Sequence, residues 1–216
     1  MSEFTLTGAF LEGGKMMYVV LAIGIMASVV MLDRLYNLFV NFNVDKEKFV
    51  NNVERAILAG DLNGAVNYCN DKKSPLNNIV KAGIIAVMNR GKDEEVQTAM
   101  DVAALREIPK IEKRTGYLPL LANIATLVGL LATIYGLIIS FKAVAGVDPA
   151  QKAALLASGV SEAMYGTAFG LCVAIPTLLV GAFLSSKTQA LLDDIHEISV
   201  ATLNLIIQNR EKFPAK

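Results

Sequence analysis

The residues with chemistry to offer lie in two long stretches that carry almost no charge. Within 153–186 the single charged residue is Glu162, enclosed by the run VSEAMYGTAFGLCVAIPTLLVGAFL. About 20 apolar residues cross a bilayer as a helix, and this stretch is longer. A carboxylate at the middle of such a helix costs about 2.5–3.5 kcal/mol, and less near its end. Glu162 sits near the end, which leaves two readings. It is either an interfacial carboxylate reaching headgroups and water, or a carboxylate facing a polar cavity between helices.

The second stretch, 117–141, carries hydroxyls on a line. At about 100° per residue, Thr126, Gly129, Gly136 and Ser140 all fall within about 60° of Thr133. Small residues on one face of an apolar helix serve close packing, and that accounts for the glycines. It accounts less well for two threonines and a serine, because alanine packs as closely without a polar group. In the other stretch, Glu162, Ala163, Gly166, Thr167 and Gly170 cover one broad side. Gly166 and Gly170 form a GxxxG packing pair there. Thr167 lies about 140° round from Glu162, so the two cannot point along one line. Pro176 lies deeper and is placed to bend the helix. Two such faces meeting around a shared lumen would give a polar lining for an ion or for a partner helix.

Enzyme chemistry finds no footing. The chain has no P-loop, dinucleotide fingerprint, HExxH or GxSxG motif. Ser161 beside Glu162, with His196 far along the chain, is not a nucleophile arrangement. Cys69 and Cys172 lie in different settings, one polar and one apolar, and no metal-ligand spacing exists. No catalytic residue, cofactor or metal site is expected, and net charge zero gives no footing for nucleic acid.

The elements that must position these residues follow from how charge is segregated. The chain is 54% hydrophobic and still 19% charged. Uncharged runs occupy 16–32, 117–141 and 163–186, while thirteen of the 20 Lys and Arg residues and twelve Asp and Glu lie within 33–117. The pattern predicts an all-α membrane protein with three transmembrane helices and a helical polar segment between the first and second. The second and third helices extend beyond the membrane. Boundaries are expected at 1–15 for a short amphipathic helix, 16–34 for the first span and 35–114 for the polar segment. The second and third spans occupy 115–186 with a short loop between them, and a final helix occupies 187–216. No basic n-region or cleavage site marks the first span for removal. Asp45, Asp61 and Ser74-Pro75 are placed as helix starts, Gly60 and Gly91 as stops, and 92–114 is expected to run straight into the second span. Near the span ends, Arg34, Lys110, Lys113, Arg114 and Lys187 outnumber Lys15, Lys142 and Lys152. That bias puts the polar segment and the C-terminus in the cytoplasm.

Four motifs then occur in order: EGGKMMYVVLAIGIMASVVMLDRLYNL, SPLNNIVKAGI, REIPKIEKRTGYLPLLANIATLVGLLATIYGLIISF and SEAMYGTAFGLCVAIP. Together the sequence resembles the ExbB/TolQ/MotA proton-channel superfamily, and its three-span ExbB/TolQ branch most closely. The resemblance maps the family's glutamate to Glu162, its lumen-facing threonines to Thr133 and Thr167, and its helix-breaking proline to Pro176. It implies a proton-motive-force-driven homopentamer in the bacterial inner membrane, N-terminus periplasmic. The pore would surround a dimeric ExbD/TolR-like single-span partner that supplies the transport aspartate and energises a TonB- or TolA-like protein. Ala132-Thr133 stands where the family usually has Gly-Thr, and four-span MotA-type stators lack the glutamate. Alternatives are a MotA-like or gliding-motility stator, proton- or sodium-driven, and a passive membrane scaffold.

Overall fold

Long apolar runs without charge leave a helix as the one way for a single segment to satisfy its backbone in lipid, and the chain takes that solution three times. The computed structural model describes residues 16–41, 46–71 and 74–213, and all regular structure among them is helical. The helices are α1 (Met16–Tyr36, continued by a π-turn at Asn37–Asn41), α2 (Lys46–Leu58), α3 (Leu62–Asn70), α4 (Pro75–Met88), α5 (Asp93–Glu112), α6 (Tyr117–Ala143) and α7 (Pro149–Gln208). Short 3-10 turns occupy Val144–Gly146 and Arg210–Lys212. Stretches of α1, α6 and α7 are long and apolar enough to cross a membrane. The expected N-terminal amphipathic helix and the Asp45 cap lie outside the described residues.

The chain forms two compact units. Of the described residues, the membrane unit takes those up to Asp33 together with Arg114–Phe183, and the polar unit takes those within Arg34–Lys113 together with those from Leu184 onward. In the membrane unit, Ile23 and Ala27 of α1 cluster with Leu121, Ala122 and Ala125 of α6 and Ala174 of α7. Most of the large apolar side chains point outward, among them Val29, Leu127, Ile138 and Leu179 at 62, 64, 48 and 68% exposure. Exposed apolar side chains at this density belong against lipid or other protein, not in water.

The polar unit has a core of its own. Phe49, Val53 and Ile57 of α2, Ala65 and Cys69 of α3, and Ile79, Val80 and Ile84 of α4 meet Val96 and Met100 of α5. The far part of α7 closes this core with Ile195, Ile198 and Ile206. The tail is therefore a structural member of the polar unit and more than an extension of a span. Lys46 ties α2 to α7 by donating to Asp194 at 2.6 Å and Glu197 at 2.7 Å, which raises its pKa above the ordinary lysine value.

Local signals explain most helix ends. The Asp61 carboxylate accepts from Gly64 N at 2.9 Å, capping α3. Ser74 Oγ accepts from Asn77 N at 3.2 Å, with Pro75 opening α4. Gly60 takes φ +74° after α2, as a helix stop requires. Two ends differ from expectation. After α4 the left-handed residue is Arg90 (φ 61°), not Gly91. Gly91 is needed for closeness instead, since a Cβ there would lie 2.9 Å from Ala86 O. The helix from Lys92 does not run straight into the second span either: residues 113–116 form a turn in which Arg114 takes φ 67°. Arg34, counted above among the cations near the span ends, is 2% exposed and donates to the Ile111 carbonyl at 3.3 Å. That carbonyl lies at the negative end of α5, where a cation is favoured. Asp33 beside it in sequence pairs with Arg114 at 3.2 Å.

Candidate functional site

The site is built where α6 and α7 of the membrane unit come closest. Glycine and alanine make that approach possible. A Cβ on Gly129 would lie 3.2 Å from Gly166 O and 3.3 Å from Gly170 Cα, and one on Gly170 would lie 2.8 Å from Ala125 O. Towards the loop, a Cβ on Gly136 would lie 2.8 Å from Ala163 Cβ, and one on Gly166 would lie 2.7 Å from Ala132 Cβ. Backbones this close leave no room for a larger side chain on the seam.

The threonines sit on the flank of this seam. Thr133 Oγ1 and Thr167 Oγ1 contact each other, and both side chains are half-buried. Thr167 Oγ1 donates to Gly129 O at 2.9 Å, while Thr133 Oγ1 also lies 3.3 Å from Gly129 O and 3.4 Å from Ala163 O. Each hydroxyl has one proton. With the Thr167 proton on Gly129 O, the Thr133 proton can go to Thr167 Oγ1, Gly129 O or Ala163 O. In any of these arrangements both protons have acceptors within the seam, and a hydroxyl lone pair is left to accept from outside. Such a site accepts a hydrogen bond from a protonated group or ligates a small cation.

The other sequence-predicted residues are less alike than their shared line suggested. Thr126 is half-buried and bonds back to Ala122 O at 3.1 Å. Ser140 is 6% exposed, bonds to Gly136 O at 2.7 Å, and packs where a Cβ on Gly159 would collide with it. Glu162 is exposed, and it stands five positions before Thr167 on α7. α7 continues through Pro176, with the next residue's hydroxyl, Thr177 Oγ1, donating to Val173 O at 2.7 Å. Ser161 and His196 are both exposed. No group of three or more His, Cys, Asp or Glu able to hold a metal occurs among the described residues. A cleft of about 500 Å³ in the polar unit, lined by Lys46, Phe49, Val53, Ile198 and Leu205, contains none of the predicted site residues.

Sequence reasoning missed Gly159, the partner of Ser140, and Asn123, which is exposed on α6. The signal for Asn123 was available: a carboxamide set inside an uncharged span. The signal for Gly159 was not, since its opposite residue depends on the register of two helices.

Three spans and a hydroxyl pair set in a close-packed helical seam define a multi-pass membrane protein with a polar feature inside its transmembrane part. Comparison with known proteins gives the family. The model of the MotA/TolQ/ExbB proton channel family matches residues 71–197, more than half of the chain, and the chain belongs to that family. It is 34% identical over 96 residues to the Tol-Pal system protein TolQ of Haemophilus influenzae, covering 44% of this chain and 42% of that one. It is 25% identical over 200 residues to a putative biopolymer transport protein ExbB homolog of Methanothermobacter thermautotrophicus, covering 92% and 69%. The match thus spans under half the length of TolQ and about two thirds of the ExbB homolog. A solved structure of C. jejuni MotAB aligns over 97% of this chain and 91% of its own at 14% identity, with a TM-score of 0.49.

Proposed function

We propose that this chain is the channel-forming subunit of an ion-driven motor of the ExbB/TolQ type. The observation that carries the reading is the Thr133–Thr167 contact, two hydroxyls joined inside uncharged spans. In this reading, five copies surround a lumen lined by the second and third spans. A dimer of a single-span partner occupies it and brings a carboxyl group to the threonines. When that carboxyl is protonated it donates to the pair; when it is ionised that hydrogen bond is lost, and a threonine must turn its proton away from its inward acceptor to meet the carboxylate. The alternation couples ion passage to relative movement of the two components, and the work is delivered across the envelope. Glu162 stands nearer one mouth of the lumen and shapes it. The protein sits in the bacterial inner membrane with its N-terminus periplasmic and its C-terminus cytoplasmic, and Thr126, Ser140 and the seam glycines hold the lining in place.

The test uses cells that carry the chain with the small single-span protein expected from a neighbouring gene. Thr133→Val with Thr167→Val should abolish ion-dependent work while the assembly still purifies with its partner. Intact work in that variant would sink the reading. Loss of assembly without any separate effect on transport would favour the passive scaffold.

A further inference from the structure

We infer that Asn123 lines a hydrated access path leading from the Arg114 end of α6 to the threonine pair, an inference that rests on the lumen reading above. Asn123 lies within the uncharged run 117–141. At the rise of an α-helix it stands about 9 Å along α6 from Tyr117, well inside the span. Its side chain is exposed, and no hydrogen bond or ion pair joins it to the described residues. A carboxamide has two donors and an acceptor, and hydrocarbon satisfies none of them. Asn123 therefore faces water or protein in the assembled membrane, not lipid.

Helical geometry says where it faces. Ile23 and Ala27 of α1 cluster with Leu121, Ala122 and Ala125 of α6. Those three lie about 160°, about 100° and about 160° round from Asn123, so α1 does not cover it. Gly129 and Gly136 are at the centre of the seam with α7. They lie about 120° and about 140° away from Asn123 in the opposite sense of rotation. Thr133 and Thr126 lie between, about 80° and about 60° from Asn123 on that same side. From the Arg114 end the order is Asn123, then Thr126 nearly one turn on, then Thr133 two turns further. Polar groups thus step across one flank of α6 and arrive at the pair. The neighbours Leu127 and Leu130 are 64 and 52% exposed, so none of the described residues covers this flank, and Asn123 is its first polar group from the Arg114 end.

The test is thiol accessibility in the full-length chain, in membranes, with Cys69→Ala and Cys172→Ala removing the native thiols. A charged, water-soluble methanethiosulfonate reagent should modify Asn123→Cys at least about ten times faster than Leu131→Cys. Leu131 is a fair control because it is 51% exposed. It differs in lying about 160° round from Thr133, away from the lumen. Equal, slow rates at the two positions would overturn the inference. As a second measurement that needs no cysteine, Asn123→Leu should cut ion flux at least about tenfold while Asn123→Ser retains most of it. Unchanged flux in Asn123→Leu would also overturn it. If Asn123→Cys labels rapidly while the double threonine variant still carries ions, the hydrated path stands and the role given to the threonines falls.

Discussion

Replacing Gly170 by alanine adds one methyl group where the α6–α7 seam brings backbone closest to a glycine, and its effect can be signed in advance. The new Cβ would meet Ala125 O at 2.8 Å and Gly129 Cα at 3.1 Å. Both are backbone atoms, so neither can rotate away, and the two helices must separate by several tenths of an ångström. Overpacking of this kind costs about 1–3 kcal/mol, and contacts along the rest of the seam weaken as the gap opens. Against it stands the better helix propensity of alanine, worth about 1 kcal/mol. The middle of the overpacking range, about 2 kcal/mol, less the propensity gain leaves Gly170→Ala destabilised by about 1 kcal/mol. Gly116, with nothing within 4 Å of its Cβ position, gives the control: Gly116→Ala should be neutral or slightly stabilising. Unfolding in mixed micelles of rising SDS content, followed by near-UV circular dichroism of the six tyrosines, reads both variants. Unfolding of Gly170→Ala at the same or a higher SDS fraction than the parent would refute the reasoning.

Other perturbations read other parts of the structure. The Cys69 thiol is pushed up to about 12 from 9.0 by burial, with Lys81 pulling weakly the other way. Its folded form therefore keeps a proton that the unfolded chain loses above pH 9. The stability it supports is intact below pH 9 and is lost as pH rises towards 12, by up to about 1.4 kcal/mol per pH unit in that window. Cys69→Ala should flatten this loss when denaturation of the chain is compared at pH 8 and pH 11, and an unchanged slope would contradict the assignment. Gly60 holds φ +74°, and alanine there is forced into the left-handed region. Gly60→Ala should cost about 1–2 kcal/mol. Thermal unfolding of the polar unit's helices, followed by far-UV circular dichroism, checks it, and an unchanged midpoint would count against the strain. A double-mutant cycle of Thr133→Val and Thr167→Val should give a coupling of about 0.6–1.7 kcal/mol in SDS unfolding. Strict additivity would mean that the two hydroxyls do not interact.

Where the signal was local, the sequence was enough. Three uncharged runs, the Asp61 and Ser74 caps and the Gly60 stop all state their structure within a few residues, because caps and spans are satisfied by their own neighbourhood. The turn at 113–116 was hidden, since charged residues such as Lys113 and Arg114 suit a continuing helix as well as a break. Arg34 shows the same limit: a cation at a span end reads as interfacial until a distant carbonyl, Ile111 O, is brought to it. At the site, the stripe of hydroxyls on α6 was visible from spacing alone. Its division into a paired Thr133, a back-bonded Thr126 and a sealed Ser140 was not. That division depends on which residue of α7 lies opposite each one, and helix spacing carries no information about inter-helix register.

Whether Thr133 and Thr167 serve ion passage or only packing decides the function proposed for this chain. Proteoliposomes holding the chain with its single-span partner, loaded with a pH-sensitive dye and given an ion gradient and membrane potential, test it most directly. Ion flux is expected in the parent and should be lost in Thr133→Val with Thr167→Val, at equal incorporation and unchanged subunit stoichiometry. Flux in the valine variant equal to the parent's would contradict a role for the pair in ion passage.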